Sequence, residues 1–401
     1  MKLIDKDGNN RNVLFVVAAL AGLCGSIVTI LLALSAIWAA MSLAVRRFPF
    51  RIARSDLILA GAATLYVAVN LLTAFVNGPS WSLALKLVPV LLFLSAWLMA
   101  PRLRVSNTLA LFDIFVLGSA FCAVLALPAA LFEVLYWHER AYGGAGNPLP
   151  FAMICCLFGL TALVNVLHEA KWRQRLGWLG FWAAVVCLML SQSKGLLPVM
   201  VLGFVGFCAA FRSRLGHYVN RGGLISAAIA VVVVAIAAIP FYPRLEIAAA
   251  FASGDAGSAQ DASFSVRMTL WKHALQLAEA RPLLGYGVQN RRDLIGQLGL
   301  EYTHFHNGYF TALVDAGLLG VASLVLLLVA PVVACLLAPA DEWRSRRLFV
   351  ACVLTATFAV GGLTNLIFWQ DIYDSVFLWV GIVVVASVPV SRGNPLVFGK
   401  E

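Results

Sequence analysis

Long apolar runs separated by short polar connections recur from Val13 almost to the C-terminus. A helix needs about 20 apolar residues to cross a hydrocarbon core, and the runs are of that order. The pattern therefore predicts helical membrane spans rather than the half-polar elements of a soluble core. The first run, Val13 to Val45, would make a helix of about 50 Å at 1.5 Å per residue, well beyond a core of about 30 Å. Gly22 to Gly25 offers a break, and two short spans are predicted there. Later spans are predicted at 56–76, 82–100, 108–130, 147–168, 176–193, 195–211, 223–242, 310–337, 348–368 and 374–390, which makes twelve. The expected fold is an all-α integral membrane protein, a single polytopic domain over 1–401, with one long loop at 243–306 that contains amphipathic helices.

Composition agrees. The chain is 62% hydrophobic and 12% charged, against about 45–50% and about 25% in soluble domains, so a water-soluble fold is excluded. A net charge of +10 raises nucleic acid as a partner, but that reading needs a basic face on a soluble surface. Here the basic residues sit in short loops and report topology, because cytoplasmic loops carry the excess of lysine and arginine. Arg46 to Arg54, then Arg102 and Arg104, then Lys171 to Arg175, then Arg212 to Arg221, then Arg344 to Arg347 occupy every second connection. With Lys2, Lys6, Arg11, Arg392 and Lys400 at the ends, both termini are expected in the cytoplasm. A single first span would put Lys2 to Arg11 and Arg46 to Arg54 on opposite sides, which again favours the split. The start resembles a signal peptide's charged region, but its apolar run is too long for one, so an uncleaved span is expected. All eight cysteines lie in apolar segments without CxxC spacing and read as packing residues.

The outward connections are short except for Tyr136 to Pro148 and Pro243 to His306, so chemistry is sought there. Asp261 to Ala280 predicts an amphipathic helix along the membrane surface. Ser263 or Ser265 is its expected N-cap, and Arg281-Pro282 and Gly285 mark its end. Its apolar face gathers Leu270, Trp271, Ala274 and Ala278, while Lys272, Gln276 and Glu279 face away. Arg267 falls in the middle of that apolar face and must meet a partner there. A phosphate held through bidentate contacts and an internal salt bridge or a snorkelling side chain are both open. His304 and His306 sit at the start of the tenth span, where a histidine can accept a proton at neutral pH. A metal site would need further ligands, and only Glu301 is near in sequence; a purely structural histidine is the third reading. Lys194 interrupts two apolar spans at their outward turn, and Lys86 lies one turn inside the outer end of the fourth. Ionisable residues in such places are functional candidates, with snorkelling the bland alternative. Arg140, with His138 and Glu139, adds an outward cation of a kind that is usually only solvated. Cations and a base on one face suit a reaction whose donor carries a lipid pyrophosphate.

Ser265-Val-Arg267 followed by Leu270-Trp271 and Pro282-Leu-Leu-Gly285-Tyr-Gly287, then His306-Asn307-Gly-Tyr309 followed by Asp315-Ala-Gly317-Leu-Leu-Gly320, resemble the O-antigen ligase and polymerase superfamily of bacterial inner-membrane glycosyltransferases. The motifs run from Ser265 to Gly320, and the similarity in topology extends over the chain. Ser191-Gln192-Ser-Lys194-Gly195 looks like the superfamily's earlier basic turn, where many members have arginine; lysine keeps the charge but loses the guanidinium fork. The resemblance implies a GT-C-like fold with the long loop in the periplasm. It implies a ligase that moves a glycan from undecaprenyl pyrophosphate to the lipid A core oligosaccharide, with no cofactor and no metal. His306 matches the catalytic histidine and Arg267 the essential loop arginine. Lys194, Gln192, His304, Asn307, Arg140 and Lys86 are the substrate-binding candidates. An O-antigen polymerase is the alternative within the superfamily. A protein O-oligosaccharyltransferase usually carries a large soluble C-terminal region, and a transporter of lipid-linked glycans would show repeats and midplane sites, neither of which is legible here.

Overall fold

The computed structural model describes residues 6–45, 50–78, 87–216, 262–389 and 396–397. The predicted span 223–242 and the first part of the long loop lie outside the described residues. At every other predicted span there is a helix: α1 (Lys6–Leu20), α2 (Ile27–Ala44), α3 (Arg54–Val76), α4 (Leu87–Leu103), α5 (Thr108–Leu135), α6 (Pro148–Leu167), α7 (Lys171–Leu190) and α8 (Lys194–Ala210) come before the gap. After it come α9 (Ala262–Ala280), the short α10 (Arg291–Gly296), α11 (Gly308–Leu336), α12 (Arg344–Gly361) and α13 (Asp371–Ala386). By length and apolar composition five of these can cross a membrane on their own: α2, α3, α5, α6 and α11. The chain is an all-α membrane protein. The only strands among the described residues are β1 (Arg51–Ile52) and β2 (Leu396–Val397), which pair antiparallel.

The break between α1 and α2 falls where the glycines suggested it. The backbone of the 143–145 turn wedges into it, with Gly144 N donating to Gly22 O at 3.2 Å. A Cβ on Gly25 would lie 2.0 Å from the Gly144 carbonyl oxygen, so only glycine permits this approach.

At the centre stands α13, whose residues from Ile372 to Ala386 are all buried. The span in α6 is 94% buried. Helices apolar on every side belong in the interior. Phe358, Phe368, Phe377, Tyr66 and Phe93 interlock around α13 with ring centroids 4.9–5.8 Å apart, mostly edge to face, as the ring quadrupoles favour.

Arginines gather at the end of the bundle where α13 finishes. Arg104 pairs with Asp56 at 2.6 Å and donates to the carbonyls of Val385 and Val388. Arg347 pairs with Asp341 and donates to Ser387 O, and Arg173 pairs with Asp113 at 2.6 Å. Arg104 and Arg347 thus satisfy carbonyls left open at the C-terminus of α13. The opposite end, where α13 begins, carries the histidines.

Candidate functional site

Four non-glycine residues among the described ones have left-handed backbone: His138 (φ 58°), Gln192 (φ 55°), His306 (φ 49°) and Trp369 (φ 74°). Each lies in a connection at the histidine end. Such conformations cost about 1–3 kcal/mol apiece and persist where surrounding structure imposes them, typically at functional sites.

What imposes the turn at His306 is visible. Asn307 is the N-cap of α11, its Oδ1 accepting from Tyr309 N at 2.9 Å and Phe310 N at 3.1 Å. Its amide donates to Leu363 O, and Gly308 N donates to Gly362 O at 2.7 Å. Just before the turn, Phe305 is fully buried, and Trp271 Nε1 donates to its carbonyl at 3.1 Å. The chain is thus clamped on both sides of His306.

Trp271 belongs to α9, whose Leu270, Ala274 and Ala278 are buried while Lys272, Gln276 and Glu279 are exposed, as the helical spacing predicts. The apolar face packs on Leu294, Ile295, Phe305 and Val314. The N-cap expectation is corrected: α9 already runs from Ala262, so Ser263 and Ser265 lie within it. Neither serine interrupts a helix, and Ser265 O accepts from Thr269 Oγ1 in helical register at 3.1 Å. Arg267 shares the packed face, one turn before Trp271. Its charge reaches His306.

Electrostatics follow from that placement. Burial lowers the pKa of His306 from its ordinary 6.5, and the Arg267 guanidinium lowers it further. His304 is pushed down to about 4 by burial, by His306 and by Arg291. The two rings lie 4.4 Å apart, and the Tyr302 ring meets His306 edge-on at 4.9 Å. Both shifts disfavour the imidazolium, which suits His306 to act as a base. Among the described residues no group of three or more His, Cys, Asp or Glu is arranged to hold a metal ion.

The basic turn lies at the same end. Gln192 is exposed, while Ser191 and Ser193 are buried. Arg140 donates to Ser191 O at 3.0 Å and to Ser193 Oγ at 3.3 Å, so it braces the turn that presents Lys194. Lys194 has no ion-pair partner among the described residues. A Cβ on Gly195 would lie 3.6 Å from Thr364 Oγ1, in the 362–370 connection that also receives Asn307. The structure thus brings Lys194, Gln192, Arg140, His304, His306, Asn307 and Arg267 to one end. Lys86 lies outside the described residues.

The motif segments 282–287 and 315–317, together with Arg291, which no motif includes, complete the frame. α11 is broken at Ala316 and Gly317, the latter at φ 61°. Into this break fits the 282–287 loop: Tyr286 N donates to Val314 O and Gly287 N to Asp315 O, both at 2.8 Å, and Leu318 N donates to Pro282 O at 2.8 Å. A Cβ on Gly317 would sit 2.3 Å from the Leu283 carbonyl. Asp315 is buried and paired with Arg291, which also lies 5.9 Å from the Trp369 ring centroid. An ionisable residue inside an apolar span requires a partner, a signal that Asp315 carries in the sequence; nothing in the Arg291-Arg-Asp run points to Arg291 as that partner.

A family model described as O-antigen ligase matches residues 179–325. The matched stretch includes the Gln192–Lys194 turn, Arg267, the two histidines and the broken part of α11. No curated protein matches the chain.

Proposed function

We propose that this chain, a member of the O-antigen ligase family through residues 179–325, transfers a glycan from undecaprenyl pyrophosphate to the lipid A core oligosaccharide. The family supports ligase- or polymerase-type glycosyl transfer in lipopolysaccharide synthesis; donor and acceptor are this reading's own. The observation that carries it is His306 held in a left-handed turn between Trp271 and Asn307, with its pKa lowered by burial and by Arg267.

In the proposed reaction His306 takes the proton from an acceptor hydroxyl. The acceptor oxygen attacks the anomeric carbon, the bond from that carbon to the pyrophosphate oxygen breaks, and undecaprenyl pyrophosphate leaves with the electron pair. Arg267 and Lys194 meet the charge that develops on the leaving oxygen, so the chemistry calls for no metal or cofactor. A single displacement inverts the anomeric centre. Gln192 and His304 line the substrate's path, whereas Arg140 and Asn307, with side chains bonded to the scaffold, position the groups that touch it. The accompanying topology is twelve spans in the bacterial inner membrane, both termini cytoplasmic, with the 243–306 loop and the histidine end in the periplasm. The arginines gathered at the opposite end agree with a cytoplasmic placement there.

The test is transfer of glycan from purified undecaprenyl pyrophosphate donor to rough lipopolysaccharide, with a chelator present, by the intact protein and by His306→Ala and Arg267→Ala at matched abundance. Transfer by the intact protein that both substitutions abolish supports the reading. A product with retained anomeric configuration overturns the mechanism, and elongation of the lipid-linked donor without transfer identifies a polymerase.

A further inference from the structure

The segment between α10 and α11 is fastened at both ends. Leu298 and Leu300 pack against the apolar cluster of α9, α10 and α11, and Phe305 is fully buried within it. Between these anchors Glu301, Tyr302 and Thr303 are exposed. An aromatic ring therefore stands at the surface, with a carboxylate before it and a hydroxyl after it. That ring turns back toward the site: its centroid lies 4.9 Å from that of His306, with the planes at 78°.

Two rings flank the His306 imidazole, Tyr302 at 4.9 Å and His304 at 4.4 Å, and they differ in access. Tyr302 is exposed, whereas His304 is half-buried and its Nε2 is wholly covered. Phe305 and Asn307, the chain neighbours of the base, are buried in the scaffold. The open approach to His306 thus runs past Tyr302. A base takes a proton only from an atom about 2.6–3.2 Å away. When the hydroxyl belongs to a sugar, the sugar ring begins one bond further on, within van der Waals reach of a side chain that touches the imidazole. The face of an aromatic ring is electronegative, and the C–H groups on the less polar face of a sugar are weakly positive and apolar, so the two surfaces stack.

We infer that Tyr302 is the platform for the acceptor: the sugar ring that bears the attacking hydroxyl stacks on Tyr302 and presents that hydroxyl to His306. This rests on the role of His306 proposed above. It puts acceptor and donor on different groups, the acceptor sugar on Tyr302 and the donor pyrophosphate on Arg267 and Lys194. Tyr302 acts on acceptor binding and takes no part in making or breaking bonds.

Steady-state transfer by the full-length protein, with acceptor varied at saturating donor and then the reverse, tests the assignment. The acceptor is rough lipopolysaccharide, or lipid-linked glycan where only elongation is seen. Tyr302→Ala is expected to raise the acceptor KM about five- to tenfold, the scale of one aromatic contact, with a smaller effect on the donor KM. Tyr302→Phe keeps the ring and restores most of the loss; Tyr302→Leu keeps bulk alone and does not. Equilibrium binding of the acceptor, measured without donor, weakens in the same order. The side chain is exposed, so these variants are expected to melt with the parent protein, and those that do are compared. Unchanged acceptor affinity in Tyr302→Ala overturns the inference, as does a loss confined to kcat with a displaced pH–rate limb, which would mark Tyr302 as a prop for His306. His306→Ala, run alongside, separates the two readings. Transfer by it at the parent rate removes the base and the platform together; an inactive His306→Ala beside normal acceptor binding in Tyr302→Ala removes the platform alone.

Discussion

Trp271 donates its indole N–H to the carbonyl of Phe305, 3.1 Å away, and so ties the helix that carries Arg267 to the backbone between His304 and His306. Replacing Trp271 by Phe keeps the ring and deletes the bond. The expected loss of stability is about 1 kcal/mol, while kcat falls and the donor KM stays near the parent value. Steady-state kinetics alongside a melting curve check this, and a KM effect without a kcat effect would show that Trp271 does not position His306.

Because burial and Arg267 both lower the His306 pKa, the acid limb of the kcat/KM profile is expected below pH 6.5. Acidification protonates the base and removes activity. In Arg267→Ala the guanidinium no longer opposes the imidazolium, so the limb moves to higher pH while the rate drops by about 10²–10³ through loss of transition-state charge stabilisation. A pH–rate series on both proteins reads the shift; a limb that stays in place or moves the other way refutes the coupling.

Lys194 presents a cation from a turn braced by Arg140. Lys194→Ala is expected to lower kcat by about tenfold or more, and Lys194→Arg to retain most activity, since charge is what the leaving pyrophosphate requires. Arg140→Ala acts through the turn and gives a smaller loss. Comparing the turnover of the three variants decides the order.

Arg291 and Asp315 form a buried pair at the break in α11. Asp315→Ala leaves a buried cation and is expected to cost about 3–5 kcal/mol, whereas replacing both partners by apolar residues is close to neutral. Thermal melts of the single and double variants measure this. The double variant is still expected to lose activity, because Arg291 also reaches His304 and Trp369.

Much of this was readable in the chain. Apolar run length predicted where the helices lie, since a helix satisfies its own backbone wherever it sits. The 3.6-residue spacing placed Arg267 on the packed face of α9, and both histidines stood out against an apolar background. Less legible was what each side chain holds. Asn307 and Arg140 read as substrate-binding candidates, and the sequence did not reveal that Asn307 reaches Leu363 or that Arg140 braces Ser191 and Ser193. Leu363 lies 56 residues from Asn307, and Ser191 lies 51 from Arg140.

Local composition thus determined helix positions, the alternating basic connections and the residue types available for chemistry, all of which depend on a few neighbouring positions. Tertiary structure alone decided that the 282–287 loop enters the break in α11, that Arg291 meets Asp315, and that the connections carrying His138, Gln192, His306 and Trp369 converge with strained backbone at one end. Those outcomes depend on segments far apart in the chain approaching to within a hydrogen bond, and no local pattern encodes that distance.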